Sequence, residues 1–286
     1  MPLDPVAVLG HRFAPVEQTI ADRDAMLYAL SIGLGSDPLD RDELRYVYEE
    51  GLLVFPTMPV VIGHPGNWMA EPGLGITRQM IVHGSQRLSC PVPLPIGEPL
   101  ICENEVYGLA DKGADKGVVM TLRRRLRSKM SGDLIAEGES AIFCRADGGF
   151  GEGFERPVRP FERPPERAPD RIVTTCSADS AALLYRLNGD RNPIHADPDG
   201  AAGAGFSKPI LHGLCTFGMA AVAIDRGVAR PAARRLSMIE TRFSNIVYPG
   251  EALEFQLWID GVSIAFRACA PERGSTVLDY GRAELT

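Results

Sequence analysis

Two residues with proton-transfer chemistry, Asp190 and His195, lie close together in the stretch Leu183 to Gly213, with Asn192 and Pro193 between them. A carboxylate and an imidazole held within hydrogen-bond reach of one small molecule can divide the work of moving a proton. Reach comes before any particular pKa. Pro193 fixes its own φ and pushes Asn192 out of the helical region, so the backbone between acid and base is stiff. The pair could then flank one water. Polar residues around a proline also make ordinary turns, in which Asp and Asn cap backbone groups. The context sets this stretch apart. A short apolar segment, Ala181 to Leu187, precedes it, and a second pair, His212-Gly213, follows it and opens a long helical run.

GDRNPIHADPDGA resembles the signature of the MaoC-like, R-specific enoyl-CoA hydratases, the hydratase 2 group. Gly189, Asp190, Asn192, Pro193, Ile194 and His195 fill that pattern, and Ala201 supplies its small residue six positions past the histidine. PILHGLCTFGMA (Pro209 to Ala220), RFSNIVYPGEALE (Arg242 to Glu254), YALSIGLG and LRYVYEEGLLVFPTMPVVIG are similar to the same family. The blocks occur in the right order and span nearly the whole chain. The hydratase 2 portion of multifunctional peroxisomal β-oxidation enzymes is similar throughout.

The resemblance implies reversible hydration of a trans-2-enoyl-CoA to a (3R)-3-hydroxyacyl-CoA. In that reading Asp190 and His195 are catalytic and activate water, and Asn192 binds and orients. The Gly213 N–H, at the start of a helix, receives the oxyanion. A neutral imidazole can take and return a proton near neutral pH. No metal or redox cofactor is called for, since CoA is part of the substrate. His212 is expected to be structural, as are His11, His64 and His83, which have no acid partner nearby in sequence. Two other readings compete. A dehydratase of an acyl-carrier-protein thioester would show a basic surface, and a non-catalytic acyl-CoA-binding subunit would be expected to have lost Asp190 or His195.

Composition bounds the partners. The chain has 286 residues and a formal net charge of −7, which argues against a nucleic-acid binder. No window is apolar enough to span a membrane, and no secretory signal opens the chain. It ends Ala283-Glu284-Leu285-Thr286, unlike a peroxisomal Ser-Lys-Leu signal. A cytoplasmic location is therefore expected. The six cysteines are scattered with no CxxC, so buried free thiols in a reducing compartment are expected.

The elements that must position the site read as follows. GHRFAPVEQTI reads as an extended entry strand. A helix capped by Asp22 or Asp24 follows, then a charged helical turn or two over Asp42 to Glu50. Leu52 to Ile62 is apolar but broken by Pro56 and Pro59. Three strands follow over Leu100 to Leu109, Gly117 to Ser128 and Leu134 to Arg145. Arg123, Arg124, Arg125 and Arg127 could line a phosphate-rich ligand, but a solvated outer face is the favoured expectation. A Pro/Gly/Arg-rich linker, 147–170, is long enough to cross a folded domain. The second half is expected to run from a strand over Arg171 to Cys176, through a short helix capped by Ser177 or Ser180, to a helix over Gly213 to Val228 and four closing strands.

The halves rhyme. MIVHG (Met80 to Gly84) echoes PILHG (Pro209 to Gly213), and PIGEPL echoes YPGEAL. His83 lies 14 residues before Gly97, whereas His212 lies 38 before Gly250, so the first copy has no room for the long helix. It also lacks the Asp-x-Asn-Pro-x-His pattern. The expected fold is α+β, a tandem (double) hotdog whose name comes from the resemblance: antiparallel sheets each wrapping a helix, reduced in the first repeat. The expected domains are 1–146 (degenerate, accommodating the acyl chain) and 171–286 (catalytic). A homodimer is also expected.

Overall fold

A computed structural model of the chain describes residues 3–151, 153–154, 159–230 and 233–286. The first half supplies strands β1 (Val16–Thr19), β2 (Ile81–Ser89), β3 (Pro99–Asp111), β4 (Val118–Ser128) and β5 (Leu134–Cys144). The second supplies β6 (Arg171–Cys176), β7 (Leu236–Phe243), β8 (Ala252–Asp260), β9 (Ser263–Ala270) and β10 (Ser275–Leu285). All ten form one antiparallel sheet in the order β1-β3-β4-β5-β2-β7-β10-β9-β8-β6. From either edge inward the order is the same, with β6 to β10 replacing β1 to β5. The two halves meet where β2 pairs with β7, from Ser85 opposite Arg242 to Ser89 opposite Met238.

The helices are α1 (Pro5–Gly10), α2 (Asp22–Ser31), α3 (Arg41–Val47), α4 (Ala181–Tyr185), α5 (Pro198–Gly203) and α6 (Gly213–Ile224), and five residues of π-helix, Asp225–Ala229, extend α6. Ten of the twelve residues of α6 are buried, as an apolar run with no polar face requires. It packs on α2 so closely that a Cβ on Gly218 would lie 2.5 Å from Ile32 Cγ2. At its far end the buried Glu43 carboxylate of α3 binds Arg226 at 2.6 Å and Arg230 at 3.0 Å. Burial alone would raise the pKa of Glu43. The two guanidiniums and the Gly35 N–H overcome that and hold it below the usual carboxylate range.

Several expectations need correction. The entry strand is only Val16–Thr19. Before it, Pro5 at the first turn and the Asp4 carboxylate, which accepts from Val6 and Ala7, set up α1. The Asp24 carboxylate does close the start of α2, accepting from Ala21 N–H at 3.2 Å. Ser180 stands before α4 without a side-chain cap, and Ser177 Oγ instead accepts from Gly250 N–H. Arg123, Arg125 and Arg127 pair on one face with Glu139, Glu137 and Glu103. Arg124 points the other way, as strand alternation dictates. It donates to the Val60 and Ile62 carbonyls at 2.9 and 3.0 Å, tying down the irregular segment. Cys90, Cys102, Cys144 and Cys215 are buried, but Cys176 is exposed and Cys269 half-buried.

The long helix has no counterpart between β2 and β3, where residues 90–98 are loop. The longer spacing in the second half is α6 and its extension. Phe55 and Met58 are buried in the same apolar cluster as Phe217 of α6. The linker expected over 147–170 includes residues 152 and 155–158, which lie outside the described residues. Its described part holds no helix or strand. Near its middle it crosses the sheet at the β2–β7 seam, where Arg159 pairs with Glu240 at 2.6 Å and Phe161 lies under the Arg87 guanidinium.

Candidate active site

The site is built from the chain between α4 and α6. Gly189 takes a φ of +125°, which turns the backbone out of the α4 region into Asp190. Asp190 Oδ1 accepts from Asn192 N–H at 3.1 Å. Asn192 has a ψ of 127°, the extended value that a following proline imposes. Its Oδ1 accepts from Ile194 N–H at 3.3 Å and caps the single turn Pro193–His195. The structure therefore gives Asn192 a backbone-capping contact. Behind this turn α5 packs tightly: Ala201 is fully buried, and a Cβ on Gly200 would lie 2.9 Å from Pro193 Cβ.

His195 is buried, and its Nδ1 lies 2.8 Å from the Ile210 carbonyl. In the neutral ring that carbonyl requires the proton on Nδ1, so Nε2 is left as a bare acceptor. Burial lowers the pKa of His195, and the Ile210 bond and the Asp190 carboxylate only partly oppose this. The ring is thus kept neutral. Asp190 itself is exposed.

His212, expected to be merely structural, lies inside the group. Its ring stacks on His195 with centroids 3.6 Å apart and planes at 24°. Its Nε2–H donates to the Asp190 backbone carbonyl at 3.2 Å. Burial, with His195 alongside, pushes its pKa down to about 4. Tyr185 packs against this ring, tilted by 45°, with centroids 4.9 Å apart. His212 Nδ1 and Tyr185 Oη are both buried without a hydrogen-bond partner among the described residues.

Gly213 follows at the first position of α6. No side chain caps this helix start; the Cys215 N–H turns back to the His212 carbonyl at 3.0 Å, which leaves the Gly213 N–H to face a ligand. The Phe243 ring of β7 lies so close that a Cβ on Gly213 would meet it at 3.3 Å. The same ring contacts His83 of β2 at 4.7 Å. The first half therefore stands one ring away from Gly213. His83 Nε2 lies 3.1 Å from the Ser85 carbonyl, and burial pushes its pKa to about 4. His11 does have an acid partner, from a distant part of the chain: Glu71 at 3.7 Å, beside Phe13 and Trp68.

The structure thus brings Asp190 and His195 together, with Gly213 immediately beyond His212. One potential ligand atom from each of Asp190, His195 and His212 lies within 4.8 Å of the others. As a metal site the group is poorly arranged. Stacked rings set their lone pairs in near-parallel planes, whereas an ion at about 2.1 Å from two nitrogens must lie near both planes. Sequence reasoning missed the contacts of His212, Tyr185 and Phe243. Phe243 lies within the RFSN block, and Tyr185 within the short apolar segment Ala181 to Leu187.

Fold and site together define a double-hotdog protein with an acid, a base and an open helix start on its second repeat. A MaoC like domain is matched over residues 158–278 and an MFE-2 hydratase 2 N-terminal domain over residues 19–146. The chain belongs to the MaoC-like hydratase 2 family. An enoyl-CoA hydratase of Mycobacterium tuberculosis, ChsH3, is 36% identical over 98% of this chain and 98% of its own. The crystal structure of a MaoC-like dehydratase from Phytophthora capsici superposes with a TM-score of 0.84 at 30% identity, covering 99% of both chains. A further M. tuberculosis structure, described as a double hotdog fold, has a TM-score of 0.58 at 16% identity over 96% of this chain and 97% of its own; it supports the fold alone. No helix among the described residues is long and apolar enough to cross a membrane.

Proposed function

We propose that this hydro-lyase adds water across the double bond of a trans-2-enoyl-CoA, giving a (3R)-3-hydroxyacyl-CoA, and catalyses the reverse reaction. The observation that carries the reading is the neutral His195 ring, its Nδ1 bound to the Ile210 carbonyl, with a carboxylate oxygen of Asp190 within 4.8 Å of one of its nitrogens at the mouth of α6. Asp190 accepts one O–H of the water and orients it. His195 Nε2 takes the other proton as the oxygen bonds to C3. The electron pair of the double bond moves toward the thioester, and the resulting enolate oxygen is held by the Gly213 N–H. The proton then goes to C2, and the imidazole returns to neutral. Atoms and charge balance without a metal or a redox cofactor. Asn192 keeps the turn between acid and base in shape.

In this reading the first half accommodates the acyl chain along the segment Leu52–Ile62, which packs against α2 and α6. The arginines of β4 that face outward are matched by glutamates, which gives a carrier protein no unpaired basic face there and favours a CoA thioester. Six unpaired cysteines suit a reducing compartment such as the cytoplasm. A homodimer completes the proposal, and light scattering on the purified protein reads it directly. The test of function is incubation with crotonyl-CoA and with a longer trans-2-enoyl-CoA, with chiral analysis of the product. A 3R product from either substrate supports the reading. A 3S product, or no hydration of any enoyl-CoA offered, overturns it.

A further inference from the structure

We propose that His212 is a positioning residue, a tether that locks the Asp190 loop to the head of α6. The inference rests on the hydratase reading of the site. Asp190 needs such a tether. It is exposed, it follows a glycine with a φ of +125°, and its carboxylate is engaged within its own loop by Asn192 N–H. His212 reaches that loop from outside, donating Nε2–H to the Asp190 carbonyl while its ring lies on His195. Its own backbone leads directly into Gly213. One side chain thus ties acid, base and oxyanion donor to a common support. With Nε2 used as the donor, Nδ1 is a bare acceptor buried without a partner, and a ring so placed stays neutral near pH 7. That suits a strut and not a proton carrier. Misplacing a reacting group by an ångström can cost about a hundredfold in rate, so a lost tether is expected to show in kcat.

A buried ring that only filled space would be replaced best by another ring. A tether is replaced best by another donor. His212→Gln keeps an N–H at the reach of Nε2 and loses the ring, whereas His212→Phe keeps the ring and loses the donor. We expect His212→Gln to hold kcat within about threefold of wild type, and His212→Phe to lower it about tenfold or more with KM within about twofold. His212→Asn, whose amide falls short of the Asp190 carbonyl, is expected to behave as His212→Phe and replaces it if that variant does not fold. Hydrogen exchange supplies a readout independent of substrate: the Asn192 amide should exchange faster in His212→Phe than in wild type, and at the wild-type rate in His212→Gln. A His212→Phe enzyme more active than His212→Gln, or equal exchange in the two variants, overturns the tether. If the wild type hydrates no enoyl-CoA, the functional reading falls, and the exchange comparison still decides this one.

Discussion

His83-Gly84 and His212-Gly213 are the same dipeptide in the two halves, yet one lies inside strand β2 and the other at a helix start. In the second half α6 intervenes before β7. His212 therefore stands just before a helix without capping it, and Gly213 offers an open N–H beside Asp190 and His195. In the first half the chain passes directly into β2. His83 is spent inside the strand, its Nε2 bound to the Ser85 carbonyl. A helix start supplies free donors and a strand interior does not. The repeated motif by itself does not make the site. The inserted helix and the Asp-x-Asn-Pro-x-His turn facing it make the difference, and the first half is left as a partner surface reaching the site through Phe243.

The largest expected effect falls on the acid. Asp190→Asn nearly preserves volume, so the variant should fold, and its hydration rate should drop by about 10²-fold or more. Circular dichroism and steady-state kinetics on the same sample check both halves of that statement. Next comes the helix start. Gly213→Ala pushes a Cβ against Phe243 at 3.3 Å, and kcat should fall about tenfold as the oxyanion donor shifts. Adding Phe243→Leu should recover part of the loss; no recovery would mean that the contact is not the cause.

A smaller effect sharpens the role of the first half. Val61 is partly buried against the common core, next to the fully packed Val60. Val61→Trp should reduce kcat/KM for a long enoyl-CoA several-fold more than for crotonyl-CoA, since each buried CH₂ contributes about 0.8 kcal/mol. Equal losses for the two substrates would count against an acyl path beside this segment. The smallest effect concerns stability. His83 and His212 have folded pKa values of about 4, below the ordinary 6.5. Between those values the unfolded chain binds protons that the folded chain refuses. Each histidine's contribution is therefore full above pH 6.5 and is lost as the pH falls toward 4, at a slope of at most about 1.4 kcal/mol per pH unit. Urea titrations at pH 7 and pH 5 should show His83→Gln losing less stability than wild type over that interval.

Much of this was legible in the sequence because it is local. Alternation marked the long strands, and the spacing before each Pro-Gly-Glu type turn exposed the missing helix. Asn192-Pro193 announced the turn that carries His195. What stayed hidden depends on distant chain. Nothing near Arg124 says that the carbonyls of Val60 and Ile62 will need a donor, so it read as one more outward arginine. Nothing near His11 points to Glu71. The place of His212 depends on Asp190, 22 residues earlier, presenting a backbone carbonyl to its ring. Backbone acceptors leave no mark on residue type, so a contact of this kind cannot be read from the motif. The short α1 was missed for the opposite reason: Asp4 and Pro5 are a clear helix start, but so brief a helix has too little apolar periodicity to outweigh the extended reading of the residues that follow.

If the chemistry belongs to the second half alone, two histidines, one from each half, must differ sharply in their effect on turnover. His195→Gln and His83→Gln make the same change in the two halves. Initial rates of crotonyl-CoA hydration should fall about 10²-fold or more for His195→Gln and remain within about threefold of wild type for His83→Gln. Comparable losses in both variants, or near wild-type turnover in His195→Gln, would mean that the second half does not hold the chemistry alone.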